Sequence, residues 1–520
     1  MGIAFFKTIR ILLIPVFLVA LFLQTAWAQY SFDALRMATQ VPGQDAQSMA
    51  QASSSVAGLQ GFGSFLINPA TAGLIQESYF SAGIGMREVS QNTTYLGTAT
   101  SFDDQQAGIT HVGFAYRVPT VVGSLALGGG YSQTADYNQA HTISAFNDFT
   151  SRTYQFLTDY TQDIAFNTFA IDEANGMLES VFEYGGFQGV NQFAETRRRG
   201  QSAEYQIFLA TEFQKNFFIG LSLGIPVSQS VFQQVFIESD PRDGGKPLYS
   251  GEAGTGSYNV DRMLFEERIR VNAVGLNSRI GFVFTGLPML QVGGSYSTST
   301  RWNVEERFDA FIQTHFDDVV TLDGTVLTDG QGNTYGPVMS DRLDGEYSYK
   351  LTTPARMMAG VSTRDLPFAR LYASVERIAY SRIRFRDFDV QDREVQINEN
   401  KFVSENFSDV WNIRAGAAIT LFDQVEPRFG WAMMDNPVSY LDDNIRQFLS
   451  FGLGIGLNQS MSLDFALQYG FWNTEDDLYY VDQATGIITD GQTGDPITFI
   501  ETAEQEVSRL HAAIGLSIRF

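Results

Sequence analysis

Phe217-Phe218-Ile219-Gly220-Leu221-Ser222-Leu223-Gly224-Ile225-Pro226-Val227 sets an apolar side chain at every odd position, with Phe218 and then glycine, serine and proline between them. A period of two belongs to a β-strand, whose successive side chains leave on opposite faces. The pattern returns at Leu449, Phe451, Leu453, Ile455 and Leu457, and again at Met461, Leu463, Phe465, Leu467 and Tyr469, with Asn458-Gln459-Ser460 between them as a turn. That pair reads as a hairpin. A soluble sandwich alternates too, but its polar face carries Lys, Glu and Asp. Here the alternate positions are mostly Gly, Ser, Asn and Gln. Such a face suits an enclosed lumen and leaves the apolar face for lipid.

Composition points the same way. The 520 residues hold 43 Phe, 22 Tyr, 48 Gly and no Cys, and only 18% are charged. No apolar run beyond the N-terminus reaches the ~20 residues of a membrane-spanning helix. Helical-bundle and disordered classes therefore fit poorly. Residues 1–28 read as an export signal: Lys7 and Arg10 precede the apolar stretch Ile11 to Leu23, and Ala26-Trp27-Ala28 offers a small-x-small cleavage site. Without Lys7 and Arg10 the net charge is 34 − 2 − 58 = −26, which repels a polyphosphate backbone, so nucleic acid is excluded as a partner. The lack of cysteine removes disulfides, a thiol nucleophile and thiolate metal sites. The four histidines, at 111, 141, 315 and 511, have no metal-pair spacing, and His111 reads as a satisfied lumenal residue. No enzyme, metal or cofactor is expected. The acidic pairs Asp317-Asp318 and Asp442-Asp443 read as solvated loop tips.

The dyads predict an all-β protein, a transmembrane antiparallel barrel over 78–520. Its fourteen strands lie near 78–90, 107–118, 124–134, 204–213, 217–228, 271–284, 289–300, 346–364, 368–385, 409–421, 427–435, 447–458, 461–474 and 506–520. Connections after even-numbered strands are short, as at Pro119 to Gly123, Gln214 to Asn216, Thr285 to Pro288 and Asp365 to Pro367, whereas those after odd-numbered strands are mostly long. Short turns belong on the periplasmic side, which puts both chain ends there. Leu510, Ala512, Ile514, Leu516, Ile518 and Phe520 alternate to the last residue. A terminal phenylalanine on such a strand resembles the signal read by the outer-membrane barrel-assembly machinery, an expected partner in biogenesis. Residues 29–77 lack a dyad and are rich in small residues, which fits a hatch inside the lumen or a periplasmic tail.

Asn68-Pro69-Ala70 ends that segment. Further on come Gly275-Leu276-Asn277 with Ile280-Gly281, Val292-Gly293-Gly294-Ser295-Tyr296-Ser297, the run Tyr349 to Arg356, Ser374-Val375-Glu376-Arg377 with Tyr380-Ser381, and Asn412, Arg414, Gly416, Arg428, Gly430 and Asn436-Pro437. Together these resemble the FadL/TodX family of outer-membrane transporters for hydrophobic compounds, in particular its Bacteroidetes-like branch. The resemblance implies a fourteen-stranded barrel plugged by its N-terminus. It also implies an apolar ligand, a long-chain fatty acid or an aromatic hydrocarbon, captured outside and released laterally through a kink in the third strand. Phe65, Leu66, Asn68, Pro69 and Ala70 then belong to the gate. Gly128, Gly129 and Gly130 fall in the third strand, where they either permit the opening or make room for aromatic neighbours or the hatch.

The connection 135–203 is unusually apolar. Phe156, Phe166, Phe169, Leu178 and Phe182 are its candidate ligand contacts, and Met177, Leu178, Val181 and Phe182 have helical spacing. These residues form either a capture groove or a packed loop. Arg197-Arg198-Arg199 suits lipopolysaccharide phosphates or a ligand carboxylate, or else plain solvent. Arg279, Arg356, Arg414 and Arg428 are expected to pair with lumenal carboxylates near the hatch. Outer-membrane lipid and lipopolysaccharide are expected surroundings. A secretion scaffold built on the same barrel and a diffusive porin are the alternatives, since fold does not dictate function.

Overall fold

The computed structural model describes residues 29–520 other than 175, 184–185, 243–247, 254–255, 322–337, 365, 367, 389–392, 422–423, 442–443 and 490–493. The export segment 1–28, the Asp442-Asp443 pair and two residues of the 365–367 turn thus lie outside the described residues. In chain order the strands are β1 Tyr79–Tyr95, β2 Thr98–Val118, β3 Leu125–Asp136, β4 Gln139–Asn147, β5 Ile171–Ala174, β6 Met177–Ser180, β7 Val190–Gln214, β8 Phe217–Ser239, β9 Ser250–Ala253, β10 Gly256–Leu287, β11 Leu290–Ser297, β12 Thr300–Thr321, β13 Val338–Thr353, β14 Arg356–Thr363, β15 Ala369–Ala379, β16 Arg384–Arg386, β17 Asp409–Ile419, β18 Val425–Met434, β19 Arg446–Gly456, β20 Met461–Val481 and β21 Phe499–Arg519. The helices are α1 Gln29–Ala38, α2 Ala46–Ala50, α3 Gly63–Ile67, α4 Thr153–Phe156, α5 Gln162–Asn167 and α6 Arg393–Asn406.

All strands except β5 and β6 form one antiparallel sheet of nineteen segments. Five staves are interrupted, β3 with β4, β8 with β9, β11 with β12, β13 with β14 and β15 with β16, so the sheet is a barrel of fourteen staves. It closes where β21 pairs with β1, from Tyr79↔Arg519 to Thr94↔Glu504. At this seam neither the first nor the last strand is left with a free edge, which a lipid environment demands. The outward face follows the dyad: on β8 Leu221, Leu223 and Ile225 are exposed, and on β10 Val274, Leu276, Ile280 and Phe282.

The staves run well past the apolar band. On β10 the outward positions change from Val274 to Asn272, Arg270, Arg268 and Glu266, all exposed, while the ladder to β8 continues unbroken through them. Several connections expected to be long are therefore strand. β1 and β2 meet at the two-residue turn Leu96-Gly97, β8 reaches Ser239, and β12 reaches Thr321. Outside hydrocarbon both faces are wetted, so the hydrophobic alternation vanishes from the sequence although the hydrogen bonds persist.

Residues 29–77 fill the lumen. α1 lies in the long-loop half, where Tyr30 and Leu35 join Trp302, Tyr349, Phe385 and Val403 in one apolar cluster, and Ser31 donates to the Glu399 carboxylate of α6. α2 rests Met49 and Ala50 on Ala466 and Ala513. A short 3-10 turn, Pro69–Leu74, ends the segment at the short-turn end. The C-terminus is there too, the Phe520 N–H donating to Ser78 O at 2.9 Å. The N-terminal residues are not beside it, contrary to the sequence expectation, because the hatch threads the length of the lumen.

The connection between β4 and β7 folds into a lid. Phe156 and Phe182 are fully buried there with Ile164, Ile171 and Val181 against Phe236, Tyr249 and Phe265 of the wall. Residues 177–182 are not one helix as expected: Met177–Ser180 pair with β5 in a hairpin across Gly176, whose φ is +82°, and Val181–Glu183 form a single 3-10 turn after it. Arg152 donates to the Leu478 carbonyl and stands 4.5 Å over the Phe265 ring, while Glu238 accepts from Ser151 Oγ at 2.6 Å and Arg152 N at 2.7 Å. Asp159 is buried beside these groups and accepts from Thr161 N at 2.8 Å; burial nevertheless pushes its carboxyl up from 3.8 to about 6. A raised folded-state value stabilises the closed lid below pH 3.8, and that contribution, about 3 kcal/mol, is lost as pH rises through about 6. Limited proteolysis within 150–190 should consequently be faster at pH 7.5 than at pH 5, and Asp159→Asn should remove most of the difference. Equal cleavage of the unsubstituted protein at both pH values would contradict this.

Candidate ligand cavity and its hatch

Asn68-Pro69-Ala70 is where the hatch is fastened. Asn68 is fully buried; its Nδ2 donates to Val56 O at 2.7 Å and to Phe282 O of β10 at 3.0 Å, and its Oδ1 accepts from Ala70 N at 3.0 Å. One side chain thus ties two parts of the hatch to the wall. The wall answers with glycine: a Cβ at Gly281 would stand 1.9 Å from Asn68 Oδ1, and one at Gly220 would stand 2.3 Å from Ala70 N. Within the hatch Asp45 caps α2, accepting from Ser48 N at 2.6 Å and from Gly63 N, which joins α2 to α3.

Above this dock Phe62 and Phe65 pack on Phe208 and Tyr79, and Phe62 stacks on His111. Gly128, Gly129 and Gly130 lie in a ladder that is continuous on both sides, paired with Ala115, Phe114 and Gly113 and with Phe208, Ile207 and Gln206. A Cβ at Gly130 would approach Phe62 to 2.7 Å, and one at Gly128 would approach Phe208 to 2.5 Å. These glycines make room for the aromatic neighbours and the hatch. His111 is satisfied as expected, its Nε2 2.8 Å from Ser81 Oγ.

The wall parts just above them. The β2–β3 ladder stops at His111↔Ser132, although β2 continues down in number to Thr98, and a bulge interrupts β3 between Gln133 and Ala135. β4 then bonds to β7 and turns its other edge inward, where Ala140 N donates to Gln91 Oε1 at 2.7 Å. Arg87 holds the bend, bonding Asp136 Oδ2 at 3.1 Å and Gln133 Oε1 at 2.6 Å. Beyond the end of the ladder Gln106 and Gly108 of β2 are exposed; Gln106 Oε1 accepts from Asn138 Nδ2 at the bend, whereas a Cβ built on Gly108 meets nothing within 4 Å. By register both lie on the face of Arg87 and Gly85, the lumenal face.

A cavity of about 770 Å³ lies behind this gap. It is lined by Phe32, Leu35 and Arg36 of α1, by Ala135 to Gln139 at the bend, by Arg152 and Tyr160 of the lid, and by Met434, Val438, Leu441, Phe448, Trp472 and Val507. Its size and apolar walls with a few polar groups are those of a small-molecule site. None of the expected gate residues or apolar loop contacts lines it; of the other residues quoted from the sequence, Arg198, Tyr380, Asn412, Asn436 and Pro437 do. Phe65, Leu66, Asn68, Pro69 and Ala70 are buried at the hatch dock, Gly128 to Gly130 sit under the gap, and Phe156, Leu178 and Phe182 belong to the lid. Phe169 packs against the lid interior, and Phe166 is 41% exposed. The lining residues carry no local signature; strand parity places Trp472 and Val507 inward, but nothing along the chain brings α1, β4 and β20 together.

The lumenal arginines pair as expected. Arg279 bonds both Glu204 oxygens at 2.5 and 2.8 Å, Arg356 and Arg414 share Glu376 at 3.0 and 2.6 Å, and Arg428 holds Asp464 at 2.5 Å. Arg356 also donates to Ala38 O of the hatch. The triple arginine divides: Arg197 pairs with Glu195 at 2.6 Å, Arg199 reaches Asp104 at 3.3 Å, and Arg198 turns inward to Asp33 of α1 at 2.9 Å and lines the cavity. Among the described residues no group of three or more His, Asp or Glu is arranged to hold a metal.

No family model matches the sequence, and no curated protein matches it. Solved structures do. The P. putida toluene transporter TodX superposes with a TM-score of 0.52 at 13% identity, covering 92% of this chain and 99% of that one. A Pseudomonas aeruginosa FadL homologue gives 0.53 at 13% identity with the same coverage. At that identity the likeness establishes architecture, and the chain has the FadL/TodX-type barrel fold.

Proposed function

We propose that this protein is an outer-membrane transporter of the FadL/TodX family, taking up hydrophobic molecules such as long-chain fatty acids or aromatic hydrocarbons. The observation that carries this reading is the 770 Å³ cavity whose wall includes Ala135 to Gln139, beside a break in the barrel at Gly108. The ligand enters beneath the lid from the outer surface, occupies the cavity and leaves between β2 and β3 into the bilayer. Burial supplies the attraction, roughly 25 cal/mol per Å² of apolar surface, enough for micromolar capture of a long chain. The sealed hatch below makes a sideways exit the shorter path, and lipid tails receive an apolar molecule without desolvation cost.

In this reading Phe65, Leu66, Asn68, Pro69 and Ala70 seal the lower lumen, and Gly128 to Gly130 let the aromatic floor close under the exit. Phe156, Phe166, Phe169, Leu178 and Phe182 hold the outer cover together. Arg268 and Arg270, exposed just above the apolar band, suit lipopolysaccharide phosphates, and the exposed Phe520 suits the assembly machinery. The short-turn end faces the periplasm.

Gly108→Trp places a large ring in empty space at the exit and should fold normally. It should lower uptake of radiolabelled oleate or toluene to the level of a deletion strain; uptake equal to that of the unsubstituted protein would reject lateral release. Asn68→Leu leaves Val56 O, Phe282 O and Ala70 N without their partner, which costs the hatch about 2–5 kcal/mol. Planar-bilayer recordings should accordingly show a closed barrel for the unsubstituted protein and bursts of ion conductance for the variant. A steady open channel in the unsubstituted protein would favour a porin instead.

A further inference from the structure

We infer that the cavity takes an acidic amphiphile, a single-chain carboxylate whose head group is held between Arg446 and Arg509 over the ring of Trp472. The inference rests on the transport reading and narrows its substrate class. The three residues stand on neighbouring strands β19, β20 and β21, at positions that share the lumenal face with Phe448, Gly470 and Val507. The Arg446 guanidinium lies 5.2 Å and that of Arg509 5.4 Å from the centroid of the Trp472 ring, and all three side chains line the cavity.

What sets this pair apart is the lack of an anion. Other lumenal arginines, at 87, 198, 279, 356, 414 and 428, each face a carboxylate. Among the described residues Arg446 has no ion pair and no hydrogen bond to protein. Arg509 has only the Asp136 carbonyl, at 3.5 Å, and its Nε is buried without a partner. Two cations held on one ring repel each other and are partly stripped of water, an arrangement that a bound anion relieves. The acids that line the cavity have other partners or face elsewhere: Asp136 is held by Arg87 and Asp476 by His141 at 3.1 Å, Glu267 accepts from Tyr160 Oη, Asp435 from Asn436 N at 3.0 Å and Asp482 from Ala484 N at 2.7 Å, while Glu475 and Asp477 take the outward, exposed parity of β20. Guanidinium groups match a carboxylate in geometry as well as charge. Phe32 and Leu35 of α1 supply apolar wall for the chain.

Scintillation-proximity binding of radiolabelled oleate and methyl oleate to the full-length protein at pH 8 separates the possibilities, because the two probes share a chain and differ in charge. The unsubstituted protein should bind oleate about tenfold or more tightly. Arg446→Gln should remove most of that preference, and Arg446→Gln with Arg509→Gln all of it, with methyl oleate binding unchanged. Arg446→Gln breaks no hydrogen bond within the protein, so it carries the test even if the double variant fails to fold. Equal affinities in the unsubstituted protein, or a preference that survives Arg446→Gln, would overturn the carboxylate clip alone. Absence of binding by either probe would overturn both the clip and the transport reading.

Discussion

In hydrocarbon a peptide group that lacks a hydrogen-bond partner is costly, so a sheet that crosses a bilayer must close on itself or be sheltered where it opens. The β21–β1 ladder meets the first demand. The departure of β3 from β2 above His111 and Ser132 tests the second, and the protein meets it from inside. Gln91 and Arg87 of β1, Thr100 of β2 and Gln505 of β21 bond to the residues from Gln133 to Thr142 that have left the wall. The opening is a rerouting of hydrogen bonds from backbone partners to side chains.

The hatch depends on the same economy of space. Its backbone comes closest to the wall where the wall has no Cβ, at Gly220 and Gly281 for the Asn68 turn, at Gly293 for Val56 and Ala57, and at Gly416 and Gly430 for Gln51 and Ala52. Glycines that weaken strands in isolation become seats for a second layer of chain inside the barrel. With the lower lumen filled in this way, the 770 Å³ cavity lies higher up, between α1, the lid and the bend in β3 and β4. The cavity and the break in the wall are neighbours for that reason.

Much of the barrel is legible in the sequence because a bilayer enforces alternation: Leu221 to Ile225 and Leu449 to Leu457 announce their faces. The outer halves of β1, β2, β8, β10 and β12 are not, since water on both faces releases the pattern at residues such as Glu266 to Asn272. Asn68-Pro69-Ala70 was recognisable as a motif, but its partner Phe282 lies more than two hundred residues away, and only the register of β10 brings it there. The candidate site was the least legible part. Gly128 to Gly130 drew attention as three glycines, whereas the bend occurs a few residues later at Gln133 to Asn138, a stretch of ordinary polar composition held by Arg87. Met177 to Phe182 have the spacing of a helix, yet the turn at Gly176 draws Met177 to Ser180 into a hairpin and leaves Val181 and Phe182 in a short 3-10 turn. Arg446, Trp472 and Arg509 are each unremarkable along the chain and become a group only through the pairing of three strands.

The central claim is that an apolar molecule resides behind the β2–β3 gap and passes through it. Photolabelling of the protein in vesicles with a diazirine-bearing fatty acid, followed by mass-spectrometric mapping of the adducts, addresses this most directly. The account predicts adducts within 32–41, 104–108, 135–139 and 434–448. Labelling confined to lipid-facing positions such as Leu221, Ile225 and Ile280 would contradict it.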